Sequence, residues 1–239
     1  MITVNPEQRR QIEAAAVAVC PQEMCGLLTH DGFIQCDNTA DDPLTGFRIS
    51  ARDYAAYHAE TIAVVHTHVP QRHSPLDPRT PSYADIVGQR QTGLPWLIYA
   101  CDGSMISADP VQLPRVPNQD YLNRPFIWFI NDCYSLVQDY YRFEFGIVLP
   151  DHKADKDYQQ IRQINDLFIE HIEDYGFKVH HNLEGLKNGD LLLLDRSGFK
   201  RNHLGIYHDG SVLHQDGLSV KQPISDFYGR INCVLKHEN

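Results

Sequence analysis

The chain has 239 residues, 42% of them hydrophobic and 22% charged, with a formal net charge of −10. That length accommodates two cores of ordinary size, and the composition excludes both intrinsic disorder and a fibrous repeat. The acidic balance argues against a nucleic-acid partner or adhesion to an anionic membrane, since both rest on surplus Lys and Arg.

No run approaches the roughly 18 to 20 apolar residues that span a bilayer, and the opening MITVNPEQRR has no apolar stretch after its charges. Membrane insertion is therefore not expected, and synthesis in a cytosol is. Six cysteines (Cys20, Cys25, Cys36, Cys101, Cys133, Cys233) stand without a CxxC pair and read as reduced thiols, any one of which is available as a nucleophile. The 13 histidines, several grouped with Asp, point to metal or acid/base chemistry.

Asn5 as N-cap, Pro6 at the first helical position and Gln8 as capping-box partner predict a helix through the alanine-rich stretch that follows. Short apolar runs at 25–29, 61–68 and 94–101 read as strands and make the first part α/β. Asp109 to Asp120 holds Pro110, Pro114 and Pro117 and reads as an extended linker. Beyond it, CYSLVQDYYRFEF predicts a helix opening at Cys133, and Ile161, Ile164, Leu167, Phe168 and Ile172 recur at helical spacing in a second. The runs at 189–195, 203–210, 211–217 and 231–237 then read as strands joined by Gly and Asp turns, an α+β arrangement.

In the first part, His66 and His68 lie two apart on a strand and so share a face, as two imidazole ligands of one metal must. Ser82 and Asp85 are three apart, on one face of a helix. Two His and one Asp leave a fourth tetrahedral position for water, as hydrolytic zinc requires, and Glu23 is the candidate proton shuttle. Two ordinary strand histidines have the same pattern. The ordered segments QEMCGLLT, AVVHTH, PSYAD and GLPWLIY, however, resemble the JAMM (Mov34/MPN) metalloprotease family. The resemblance implies Zn2+ held by His66, His68 and Asp85, Glu23 as general acid/base, and Ser82 as an oxyanion or supporting hydrogen-bonding residue. Thirteen residues separate His68 from Ser82, where the family usually has seven, so VPQRHSPLDPRTP is an insertion. Ser74 and Asp77 offer the same offset nearer to His68. Ser82 and Asp85 are preferred because a helix and strand pattern follows them; His73 reads as a loop residue.

In the second part, Asn131 and Asp132 are both good N-caps, so Cys133 falls in the first turn of its helix, a position that favours a thiolate. His203 and His214 lie on successive strands, and a turn at Asp209-Gly210 brings them together as base and orienting partner. A buried structural cysteine and two hairpin histidines fit the same spacing. RPFIWFINDCYSLV, GDLLLLD, HLGIYHDG and VLHQ nevertheless resemble the NlpC/P60 family of papain-like cell-wall peptidases. That resemblance implies Cys133 as nucleophile, His203 as base, His214 as its orienting residue, the Cys133 N–H in the oxyanion hole, and peptidoglycan stem peptides as substrate. Asp132 belongs to the nucleophile motif. Tyr134 and Ser135 follow the cysteine where the family commonly has Ser-Gly, and Phe126 takes the place of an upstream aromatic that is often Tyr and that donates near the oxyanion.

The expected architecture is thus a JAMM-like α/β domain over 1–110, a Pro-rich linker over 111–119, and an NlpC/P60-like α+β domain over 120–239. Their combination resembles tail tip proteins of lambda-like phages. It implies other tail tip proteins as partners, and a path from the host cytoplasm to the tail tip of the virion. The alternative is a structural tail protein whose sites have lapsed or serve only maturation.

Overall fold

The computed structural model describes residues 1–72, 74, 76–150, 168–169, 172–196 and 199–238. The chain divides into two compact units, Met1–Val116 and Pro117–Asn239. Among the described residues no helix is long and apolar enough to cross a membrane.

The first unit opens with α1 (Pro6–Val19), which Asn5 and Gln8 cap reciprocally. Its buried Ile12, Ala15 and Ala16 pack on Leu28, Val65 and Leu97 of the sheet behind it. That sheet joins β1 (Cys25–Thr29), β2 (Phe33–Cys36), β3 (Thr61–His68), β4 (Trp96–Ala100) and β5 (Val111–Leu113) in the order β2-β1-β3-β4-β5. α2 (Ala51–Tyr57) precedes β3, and α3 (Tyr83–Thr92) connects β3 to β4, which pair in parallel. A parallel pair requires such a crossover.

The expected linker is corrected at its start. Val111 and Leu113 are buried, and β5 pairs antiparallel with β4, so 111–113 belongs to the first sheet. Two apolar residues at period two were enough to recruit an edge strand, where neighbouring prolines are tolerated.

In the second unit, α4 (Cys133–Tyr140) runs into a π-helical turn (Tyr141–Phe145) that ends on Gly146 with positive φ. The predicted second helix lies largely outside the described residues. Its described end is turn structure at 172–176 rather than helix, and Phe177 already begins a strand. That strand, β6 (Phe177–His180), joins β7 (Leu191–Arg196), β8 (Phe199–His208), β9 (Ser211–Asp216), β10 (Leu218–Pro223) and β11 (Ile231–His237) in an antiparallel sheet of order β10-β9-β8-β7-β11-β6.

Alternation along these strands builds two apolar layers. Leu191, Leu193, Leu204, Ile206 and Leu213 pack with Leu136, Val137 and Tyr140 of α4. Leu192, Leu194, Val212 and Val234 pack with Phe227 on the other face. Each such buried side chain contributes about 1.5–3 kcal/mol. One residue of register slip would exchange the layers, so the pattern specifies the pairing.

Candidate functional sites

In the first unit, β3 carries His66 and His68 to one end of the sheet. Cys25 of β1 pairs with His66, which brings Glu23 alongside. Met24 N–H donates to Thr67 Oγ1 at 2.9 Å and Thr67 N–H donates to Met24 O at 3.0 Å, tying the Glu23 segment to the strand. At the start of α3, Asp85 N–H donates to Ser82 Oγ (3.1 Å) while Ser82 N–H donates to Asp85 Oδ2 (2.7 Å). This capping box aims the Asp85 carboxylate at the two rings. Its Oδ1 lies 3.2 Å from His66 Nε2, its Oδ2 3.3 Å from His68 Nε2, and the two Nε2 atoms are 3.1 Å apart. Ligand atoms of Glu23, His66 and His68 all fall within 4.8 Å of one another.

Protonation in this cluster is governed by burial and mutual attraction. Burial pushes the Glu23 carboxyl up to about 7 despite the nearby His68. Burial also works against ionised Asp85, yet the two imidazoles hold it well below the usual carboxylate range. Burial lowers His66, whereas at His68 the same effect is outweighed by Asp85 and Glu23, which raise it.

The donor set fits a divalent cation on its geometry. His68 Nδ1 lies 2.8 Å from Pro78 O, which can only accept, so the neutral ring carries its proton there and turns the lone pair of Nε2 toward His66 and Asp85. Two ring nitrogens 3.1 Å apart beside a carboxylate repel unless a proton or cation lies among them. The residues that hold the two rings in place, Pro78 at His68 and Phe47, which stacks on His66 at 4.4 Å, carry no sequence signal. Asp77 is taken up by Arg79, and Ser74 Oγ accepts from Leu76 N–H. The structure therefore brings Asp85, rather than Asp77, to the imidazoles. Ser82 is engaged as an N-cap, supporting Asp85 through its backbone. His73 lies outside the described residues.

In the second unit, Cys133 is the first residue of α4. Asp132, not Asn131, is the N-cap, with Oδ1 accepting from Ser135 N–H at 2.8 Å. Its Oδ2 accepts from Phe129 N–H at 2.9 Å, holding the preceding turn, where Phe129 takes φ 67°. Asp132 thereby fixes both the turn before the helix and the helix start beside Cys133. Phe126 is half-buried, with its ring edge-on to Trp128 at 5.0 Å, and has no hydroxyl to donate.

β8 and β9 form a two-residue hairpin in which Asp209 and Gly210 both have positive φ, the geometry that matches strand twist. Gly205 stands opposite His214, and His203 lies two residues along on the same face. His203 Nε2 is 3.3 Å from His214 Nδ1, and His214 Nε2 is 2.8 Å from Gln222 Oε1 on β10. A Cβ at Gly205 would meet Val212 Cγ1 at 2.4 Å, so glycine is what lets the strands close beside the rings. His203 is 1% exposed and His214 6%. Burial, then His214, Arg196 and Arg230, push His203 down to about 3; burial also lowers His214. Both rings are neutral near pH 7.

The structure thus joins His203 and His214 and extends the pair to Gln222, whose role is set by a β10 pairing that sequence spacing did not anticipate. Cys133 sits on the helix that packs against β8 and β9. Strand alternation assigns Leu204 and Leu213, rather than the imidazoles, to the α4 layer.

The NlpC/P60 family model matches residues 123–232, a span that holds Cys133, both imidazoles and Gln222. Tail tip assembly protein K of Escherichia phage N15 is 29% identical over 228 residues, covering 91% of this chain and 88% of that protein. The chain is therefore similar over most of its length to a phage tail tip assembly protein, and its second unit is similar to the NlpC/P60 family.

Proposed function

We propose that the protein is a tail tip component whose second unit cleaves peptidoglycan stem peptides as a thiol peptidase. The observation that carries this reading is the buried, hydrogen-bonded His203–His214 pair, which lies with Cys133, the first residue of a capped helix, within the span matched by the family. In this reading His203 takes the Cys133 thiol proton as Sγ attacks the scissile carbonyl carbon. The oxyanion so formed accepts from the Cys133 backbone N–H at the positive end of α4. Collapse breaks the C–N bond, His203 returns its proton to the leaving amine, and a thioester remains. His203 then deprotonates a water, which hydrolyses the thioester and regenerates the thiol.

The first unit is a JAMM-like metallopeptidase in the same proposal, with Zn2+ as cofactor and His66, His68 and Asp85 as ligands. When bound, zinc supplies Lewis acidity toward water and a scissile carbonyl. Pro78 O and the Ser82 cap keep His68 and Asp85 oriented, and Phe47 walls the cluster. Glu23, with its carboxyl raised to about 7, accepts a proton from water and delivers it to a leaving amine. Other tail tip proteins are its partners, and the tail tip of the virion, after assembly in the host cytoplasm, is its destination.

Digestion of peptidoglycan and defined stem peptides, with products identified by mass, tests the first unit and the second separately. Cuts within the stem that disappear in Cys133→Ala and persist in Glu23→Gln are expected. Intact substrate with the unaltered chain, beside a working hydrolase, would remove the wall-cleaving reading. A structural or maturation-only role is the second reading, and it is favoured by Phe126, which lacks the hydroxyl that an oxyanion-side tyrosine would offer. Cleavage of a co-expressed tail protein that is lost in Glu23→Gln would establish maturation.

A further inference from the structure

The imidazole pair does not end at His214. Its Nε2 meets Gln222 Oε1 at 2.8 Å, and Gln222, an exposed residue of β10, lies outside every segment that carries the resemblance. We propose that Gln222 is a positioning residue that sets the tautomers of both histidines, so that His203 presents an unprotonated Nδ1. The proposal rests on the thiol peptidase reading.

The argument follows proton by proton. A carbonyl oxygen only accepts, so facing Gln222 Oε1 requires the proton of neutral His214 on Nε2. Its Nδ1 then holds a lone pair. The neighbour of that lone pair, His203 Nε2 at 3.3 Å, must therefore carry the proton of its own ring. What remains on His203 is a basic Nδ1. When Nδ1 takes a thiol proton, the resulting imidazolium still donates from Nε2 to His214, so the same orientation serves both states. Rotating the side-chain amide by half a turn reverses every step. Its NH2 would donate to His214 Nε2, His214 Nδ1–H would donate to His203 Nε2, and His203 Nδ1 would already be protonated. The premise of two neutral rings is supported by burial, which lowers both and at His214 outweighs the Gln222 hydrogen bond and Asp216, which favour charge there; Arg196 and Arg230 further disfavour charge on both rings.

Three substitutions at this exposed position separate the cases. Glu offers only acceptors, Lys only donors, and Met neither, at similar length. Full-length protein labelled with 15N-histidine reports directly which ring nitrogen carries the proton. The unaltered chain and Gln222→Glu are expected to show His203 protonated on Nε2, Gln222→Lys on Nδ1, and Gln222→Met a mixture. Alkylation of Cys133, followed by mass at neutral pH, is expected near the unaltered rate in Gln222→Glu. In Gln222→Lys it is expected to fall at least about 100-fold, the lower end of the ~10²–10⁴ that a correctly protonated base contributes. Tautomers that stay the same in Gln222→Lys and Gln222→Met overturn the proposal. Tautomers that respond while no stem peptide is cut uphold it and count against the peptidase reading alone.

Discussion

Placing an imidazole where water does not reach, with arginines rather than a carboxylate around it, makes its charged form expensive. His203 is 1% exposed and falls to about 3, far below its ordinary 6.5. Below about pH 6.5 the unfolded chain takes up a proton that the folded chain refuses until about pH 3. The second unit should therefore lose stability as pH falls through that window and regain it as pH rises, by up to about 1.4 kcal/mol per pH unit from this group. Hydrogen exchange in β7, β8 and β9, followed from pH 7 to pH 4, measures the slope. His203→Gln should flatten it; an unchanged slope would mean that other groups carry the dependence. Of the residues around the imidazoles, His214 was readable from the Asp-Gly turn, which fixes the hairpin register. Gln222 was not, because its place depends on β10 folding back along β9, a pairing of strands that sequence spacing did not specify.

At the scale of elements, the helix that opens at Cys133 is held near both of its ends by buried polar groups. Asp132 caps α4 and pins the turn before it, and Arg124 forms an ion pair with Asp139 at 2.7 Å in which the side chains are 3% and 0% exposed. Arg124 also donates to the backbone carbonyls of Asn118 and Asp120, fastening the segment that leads into the unit. Removing one member of a buried pair leaves an uncompensated charge. Arg124→Leu should accordingly cost about 3–5 kcal/mol, whereas Arg124→Leu with Asp139→Leu should recover part of that loss. Urea unfolding of both variants measures it, and equal losses in the two would show that the carbonyl contacts, not the ion pair, dominate. The helix start at Cys133 was legible because Asp at an N-cap satisfies a specific pair of backbone donors. The edge strand at 111–113 was obscured by its prolines, and β6 and β10 lack strong alternation; pairing partners decided all three.

The two compact units carry different candidate sites, and the proposed zinc ligands all belong to the first. Zn2+ at 100 times its dissociation constant stabilises a folded state by about 2.7 kcal/mol. Added zinc should thus slow hydrogen exchange in β3 and around the start of α3 and leave β7 to β11 as before. In Asp85→Asn the slowing should disappear; slowing that persists there would place the ion elsewhere. Local rules were sufficient for much of this protein. Short apolar runs marked the strands at 25–29 and 61–68, apolar runs around an Asp-Gly turn marked those at 203–216, caps marked α1 and α4, and two-residue spacing put His66 and His68 on one face. Those features depend on neighbours within a few residues, and such neighbours are present in the sequence as written. Convergence is another matter. That Asp85 rather than Asp77 meets the two imidazoles, that Pro78 orients His68, and that Gln222 stands behind His214 all depend on segments distant in the chain meeting in space. Distances of about 3 Å between them are set by packing of whole layers, which no local pattern encodes.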